Sequence, residues 1–212
     1  MVNDGSNDKT GSVINRLCEI EPQQISAIHL KKNVGKAEAV RRGLLESYQM
    51  ETDFVGFWDA DFSAPLTEID RLVSIIQFNS HIEAVLGSRV KLLGRQILRE
   101  GHRHYLGRIF ATVFSMILNV PIYDSQCGAK IFRVTPKFFK VISDPFITSW
   151  LFDVEIIARI IKYSEPSVFP GEYIQEEPLL VWWHISGSKI GIFSFPQILS
   201  ETYRLWKSYR TY

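Results

Sequence analysis

The sequence predicts an α/β chain: a parallel sheet built from βαβ units with helices on its faces. Three observations carry this. Short β-rich runs at 26–30, 53–58 and 83–86 alternate with helical patterns, the alternation expected of βαβ units. Carboxylates, glycines and cations gather where those runs end, the sheet edge at which such folds place their ligands. Finally, 212 residues at 46% hydrophobic and 22% charged suit one buried core, so a single domain over 1–212 is expected.

That composition excludes a disordered chain, a collagen-like repeat and a disulfide scaffold. With 24 Lys+Arg against 23 Asp+Glu and a net charge of +1, nothing global points to nucleic acid, and none is expected as a partner. The two cysteines, Cys18 and Cys127, are far apart and lack metal-ligand spacing, so no disulfide is expected. The start of the chain has no charged segment leading into an apolar stretch, hence no secretory leader is expected.

Taken in order, Met1-Val2-Asn3-Asp4-Gly5-Ser6 reads as a strand end and its turn, with Gly5 allowing tightness and Ser6, Asp8 or Thr10 able to cap a following helix. Val40, Leu44 and Tyr48 share one face of a helix over 36–50, and Ile69, Leu72, Val73 and Ile76 share one over 67–78, with Thr67 as its N-cap after Pro65. Leu106, Ile109, Phe110, Val113, Phe114, Ile117 and Leu118 recur at three and four residues, which predicts a long amphipathic helix ending near Asn119-Val120-Pro121. Its most apolar stretch, 109–122, falls short of the roughly 20 residues that cross a bilayer. A further helix fits 154–163.

Charge is unevenly placed. Arg89, Lys91, Arg95, Arg99, Arg103 and Arg108 face a single acid, Glu100, in 89–108, whereas 165–177 holds four acids and no cation. The basic run is either a solvated helix face or, because it follows a strand end, a ligand-binding segment.

The most informative stretch is Phe54-Val55-Gly56-Phe57-Trp58-Asp59-Ala60-Asp61. An apolar strand delivers two carboxylates, one residue apart, to its end. Such a pair either holds a hard divalent cation that keeps positions open for phosphate oxygens, or is two solvated turn aspartates. Asp4 follows the first strand end, Asn33-Val34-Gly35-Lys36 opens a helix whose N-terminus favours an anion, and Gly87-Ser88-Arg89 closes a third strand. Together these put Asp4, Lys36, Asp59, Asp61 and Arg89 on one sheet edge, as expected of a site for a nucleotide diphosphate and a metal.

These motifs, in this order and spacing, resemble the family 2 glycosyltransferases of the GT-A fold, a Rossmann-like nucleotide-sugar-binding sheet flanked by helices. Asp124-Ser125-Gln126-Cys127-Gly128-Ala129-Lys130-Ile131-Phe132, then Trp150-Leu151-Phe152-Asp153-Val154-Glu155, then Gly187-Ser188-Lys189 are similar to the dolichyl-phosphate β-glucosyltransferase branch. The resemblance runs from residue 2 to about 190. It implies that Asp4 contacts the nucleotide base, that Asp59 lies against the ribose and diphosphate, that Lys36 belongs to the nucleotide site, and that Asp61, with Asp59, holds Mg²⁺ or Mn²⁺. It further implies that Arg89, Arg99, Arg103 and Lys189 grip the acceptor phosphate, and that Asp124 and Asp153 lie near the sugar. His184 stands where relatives often carry a charged residue. The family pattern begins with a strand and helix ahead of the Asn-Asp-Gly-Ser turn, so the resemblance implies an N-terminally truncated fold lacking its first βα unit.

The function so implied is inverting, metal-dependent transfer of a sugar, glucose by resemblance, from a UDP-sugar to a polyprenyl or dolichyl phosphate at a membrane surface. A phosphate acceptor is already largely ionised at neutral pH, its second pKa being about 6, so it needs cations more than a base. Asp153 is then either a base, an orienting group or the cap of the helix near Val154. Segments 99–119 and 199–212 are candidate membrane-interface helices, the latter alternating aromatics with cations. Peripheral attachment at the cytoplasmic face is the expected location. Trp150, Trp182 and Trp183 either line the sugar or pack the core. The alternatives are a sugar-hydroxyl acceptor and a non-catalytic nucleotide- or lipid-binding remnant.

Overall fold

The computed structural model describes residues 1–98, 101–185 and 195–210; the side chains of 101–106 and of Phe195 lie outside that description. Its first strand, β1 (Val2–Asn3), pairs in parallel with β2 (Ile28–His29), and helix α1 (Thr10–Ile20) runs between them. The main sheet has four strands in the order β3 (Phe54–Trp58), β6 (Ala129–Arg133), β4 (Ala84–Ser88), β7 (Ile174–Pro178). Two short strands, β5 (Gln96–Leu98) and β8 (Val181–Trp183), form a parallel ribbon. Around these pack α2 (Lys36–Tyr48), α3 (Glu68–Phe78), α4 (Gly101–Leu118), α5 (Pro136–Ser143), α6 (Phe152–Lys162) and α7 (Phe195–Tyr209), with a 3-10 turn at Pro170–Glu172.

The sheet is sandwiched, and the strand alternation shows how. Ala84 and Leu86 of β4, with Phe132 of β6, enter one apolar cluster with residues of α2, α4, α5, α6 and α7; Val85, Ala129 and Ile131 face a second cluster with Leu72 and Ile76 of α3. Opposite faces at period two are what a strand covered on both sides requires. The all-buried β4 lies inside the sheet, whereas β3 pairs only with β6 among the described residues and leaves Gly56 exposed. Helix α2 packs on both β1 and β3.

The expected elements are present with trimmed ends. Helix α4 stops where Asn119 turns left-handed, φ 53°, a conformation that asparagine tolerates and that ends helices. Thr67 stands at the N-cap of α3 but its side chain makes no capping bond. Asp153 does not cap α6 either: Leu151 holds the N-cap position and Asp153 lies inside the first turn. Both cysteines are free.

One expectation is corrected. The main sheet is mixed rather than parallel, because β6 runs antiparallel to both neighbours, β3 and β4, with only β4 and β7 parallel. The alternating strands β3 and β4 do run in the same direction, both antiparallel to β6; β6 lies outside that alternation, and the chain returns to the sheet after α4 from the opposite end.

Candidate functional site

Strand β3 ends at Trp58, so the next residues are placed at the sheet edge. The Asp59 N–H donates to Gly128 O at 2.8 Å, and the Asp59 carboxylate lies directly over Gly128. A Cβ at position 128 would stand 2.0 Å from Asp59 Cγ, so only glycine leaves this seat open. Lys36 Nζ is 2.6 Å from Asp59 Oδ1. That oxygen is closed to solvent and, among the described residues, accepts no well-aligned hydrogen bond. Asp61 is exposed, and one of its carboxylate oxygens accepts the Ser63 N–H at 2.9 Å. Phe62 between them adopts φ 57° with its ring outward.

Asp4 joins this group through the start of α2. Its two carboxylate oxygens accept the N–H groups of Val34 and Gly35 at 2.7 and 2.9 Å, an anion at a helix N-terminus where free donors and the helix dipole meet. Gly35 takes φ 92° to turn the chain into α2, and Lys36 is the first helical residue. The sequence-predicted Asp4, Lys36, Asp59 and Asp61 therefore stand together.

A second cluster lies beneath. Lys130, fully buried on β6, donates to Cys127 O and to Asp153 Oδ1, the latter at 2.5 Å. Burial raises the Asp153 pKa above its ordinary value against the pull of Lys130 and Lys36. Two neighbours make the ammonium tolerable there: the carboxylate and the Phe57 ring, whose centroid is 5.3 Å away. Burial likewise pushes the Cys127 thiol up to about 12, so Cys127 is neutral and packs as an apolar group.

Arg89 leaves β4 and closes on Asp124 with a two-pronged pair, Nε to Oδ2 at 2.6 Å and Nη2 to Oδ1 at 2.7 Å, while its own N–H donates to Oδ2 at 2.9 Å. Such a fork is the strong form of a charge pair. The Arg89 guanidinium also lies over the Trp182 ring, 5.5 Å from its centroid. Asp124 is oriented in turn by Glu176 of β7, whose carboxylate accepts the N–H groups of Tyr123 and Asp124, each at 2.7 Å. Burial raises the Glu176 pKa despite these two donors.

Arg89, Asp124 and Asp153 are thus near the Asp59 site but hold protein partners. Arg99, Lys189 and the side chain of Arg103, expected on the acceptor phosphate, lie outside the described residues. Sequence reasoning passed over Gly128, Lys130 and Glu176. For Lys130 a signal existed: in Ala129-Lys130-Ile131-Phe132 a lysine interrupts an apolar strand.

Among the described residues no helix is long and apolar enough to cross a membrane.

The chain is similar to known proteins. Dolichyl-phosphate beta-glucosyltransferase of Dictyostelium discoideum is 30% identical over 202 residues, covering 92% of this chain and 57% of that protein. The human protein of the same name is 26% identical over 198 residues, covering 90% of this chain and 57% of its own length. The chain therefore spans a little over half the length of these relatives. Among solved structures, glucosyl-3-phosphoglycerate synthase from Mycobacterium tuberculosis, in complex with Mn²⁺ and UDP-glucose, superimposes with a TM-score of 0.66 at 14% identity, covering 99% of this chain and 66% of that one. This likeness bears out the GT-A fold. The family model described as glycosyl transferase family 2 matches residues 1–138, from the turn that carries Asp4 through Gly128 and Lys130, and the chain belongs to that family.

Proposed function

We propose that this chain transfers glucose from UDP-glucose to a dolichyl or polyprenyl phosphate, with inversion at the sugar, and that it does so on the surface of a membrane. The observation that carries the reading is the gathering of Asp4, Lys36, Asp59 and Asp61 at one sheet edge, with Asp59 on the Gly128 seat. The named relatives are dolichyl-phosphate beta-glucosyltransferases, which supports the acceptor; a fold neighbour in complex with UDP-glucose supports the donor.

A divalent cation fits the strand end. The shielded Asp59 Oδ1 takes only Lys36 Nζ among the described residues, at 2.6 Å and without an aligned hydrogen bond, Asp61 is exposed two residues on, and a Cβ at 128 would fill the seat. Among the described residues no group of three His, Cys, Asp or Glu side chains could hold a metal, so Mg²⁺ or Mn²⁺ on Asp59 and Asp61 would be completed by diphosphate oxygens and water. Bound there, the cation offsets the negative charge that develops on the leaving diphosphate.

The remaining steps use this chain's own groups. Asp4, at the α2 N-terminus, faces the nucleoside, and Lys36 adds a cation beside the diphosphate. An acceptor phosphate oxygen attacks the anomeric carbon; the bond from that carbon to the diphosphate oxygen breaks, and its electron pair leaves with UDP. Asp153 is 4% exposed and engaged by Lys130, a poor arrangement for taking a proton from an incoming hydroxyl. An ionised phosphate needs no such base, and this favours the lipid phosphate over a sugar hydroxyl. The cations expected to hold it are Arg89, Arg99, Arg103 and Lys189. Peripheral docking at the cytoplasmic face fits α7, where exposed Leu199, Tyr203 and Trp206 share a face, Arg204, Lys207 and Arg210 are exposed, and the one acid, Glu201, is buried. Apolar groups edged by cations suit an anionic bilayer.

The test offers the protein, UDP-glucose and Mn²⁺ with dolichyl phosphate or with a sugar bearing only hydroxyls. Glucose on the lipid phosphate alone supports the reading. Transfer to the hydroxyl acceptor, or tight UDP binding without transfer to either, overturns it in favour of a hydroxyl-directed enzyme or a binding module respectively.

A further inference from the structure

Glu201, the one acid of α7, is 0% exposed, and its partners are not those of an ordinary helix carboxylate. Oε2 accepts the backbone N–H groups of Trp150 and Leu151, both at 2.9 Å, and Oε1 accepts the Ser149 hydroxyl at 2.7 Å and the Gln197 amide at 2.9 Å. The nearest cation, Arg204, stands 3.9 Å away and is half exposed. Burial alone would raise the carboxyl; the bonds from Gln197, Leu151, Ser149 and Trp150 more than offset it, and its pKa lies below the ordinary value.

Those N–H groups belong to the turn that starts α6. The same turn is held from its other side by Glu155, fully buried, which accepts Ile147 N–H at 3.0 Å, Thr148 N–H at 2.9 Å and the Thr148 hydroxyl at 2.7 Å. Glu155 is balanced by Arg159 at 2.7 Å and belongs to α6 itself. Glu201 comes from a helix fifty residues away and ties α7 to the N–H groups of this turn, beside the bond from Arg204 Nη1 to Ile147 O at 2.9 Å. Two residues after Leu151 comes Asp153, bound to Lys130; Lys130 also holds Cys127 O, one residue before the Gly128 seat of Asp59.

We propose that Glu201 is a positioning residue for the donor site: by fixing the 149–151 turn it sets Asp153, and through the Lys130 bridge it holds the Gly128 seat beneath Asp59. This rests on reading that seat as the donor site, but its structural half does not. Groups acting one shell removed from a metal or reacting ligand typically cost 10–100-fold in affinity or activity when altered.

The test compares Glu201→Gln and the milder Ser149→Ala with Leu205→Ala. Leu205 is equally buried on α7, in the apolar cluster that also holds Leu151, but its side chain has no polar atom with which to join the hydrogen-bonded path just described. Two readouts are taken at a temperature where each variant is folded. The first is hydrogen exchange at the Asp59 N–H, which donates to Gly128 O. The second is Mn²⁺-dependent UDP-glucose affinity, with kcat and donor KM separately. Glu201→Gln is expected to speed Asp59 exchange and to weaken donor binding by about tenfold at most, the low end of the effect seen for groups bonded directly to a metal's ligands, because it acts through several intervening contacts. Ser149→Ala should move both in the same direction by less, and Leu205→Ala should move neither beyond its loss of global stability. Equal effects of Leu205→Ala and Glu201→Gln, or unchanged Asp59 exchange in Glu201→Gln, overturn the proposal. If wild type binds no UDP-glucose while Asp59 exchange still responds to Glu201→Gln alone, the positioning link stands and the donor reading fails.

Discussion

The Asp59 carboxylate rests on Gly128, so closely that a methyl group there would fall 2.0 Å from Asp59 Cγ and 2.1 Å from Oδ2. The contact joins the end of β3 to the start of β6, and the 2.8 Å bond from Asp59 N–H to Gly128 O closes the same corner.

Gly128→Ala should therefore displace the Asp59 side chain without unfolding the sheet, since the clash is with one carboxylate. Donor affinity measured with Mn²⁺ and UDP-glucose should fall by roughly 10–100-fold, with circular dichroism unchanged. An alanine variant that binds as wild type does would show that Asp59 takes no part in holding the donor.

Lys130 and Asp153 are both buried, and each neutralises the other. Lys130→Met should cost about 3–5 kcal/mol in denaturant unfolding, the usual penalty for stranding a buried charge. Adding Asp153→Asn should return part of that loss, because no charge is then left unpaired. A double variant no more stable than Lys130→Met would mean that the lysine acts by packing on Phe57 rather than by charge.

Acid sensitivity should have one identifiable source in α2. Arg41 and then Arg42 hold the Glu38 carboxyl down to about 2 from an ordinary 4.5, so between those pH values the unfolded chain binds the extra proton and the fold does not. The contribution of Glu38 is present above pH 4.5 and is lost as pH falls towards about 2. In Glu38→Gln the stability-against-pH curve should flatten in that window and remain parallel to wild type above it; an unchanged acid limb would contradict the assignment.

Much of this was legible beforehand because the signals are local. The Asp-x-Asp strand end, the Gly35-Lys36 helix start and the Asp4 turn each announce themselves within a few residues, and the fold brings them to one edge. What was missed depends on contacts far apart in sequence. The seat under Asp59 is Gly128, 69 residues on by numbering, and nothing in a glycine names its neighbour. Glu201 was hidden differently: it shares the inward face of α7 with Ile198 and Leu205, and an acid on an apolar helix face is the one hint that it holds buried donors. The antiparallel insertion of β6 between β3 and β4 had no local signal, since period-two alternation is the same in either direction.

The central claim is that the β3 carboxylates direct sugar transfer to a lipid phosphate, and its most direct test is glucose incorporation from UDP-glucose into dolichyl phosphate by wild type and by Asp61→Ala, with Mn²⁺ present or chelated. The account predicts a lipid-linked sugar from wild type that disappears on chelation and in Asp61→Ala, while Asp61→Ala keeps the wild-type melting temperature because Asp61 is exposed and, among the described residues, its side chain bonds only to the Ser63 N–H two residues on. Undiminished transfer by Asp61→Ala would contradict it.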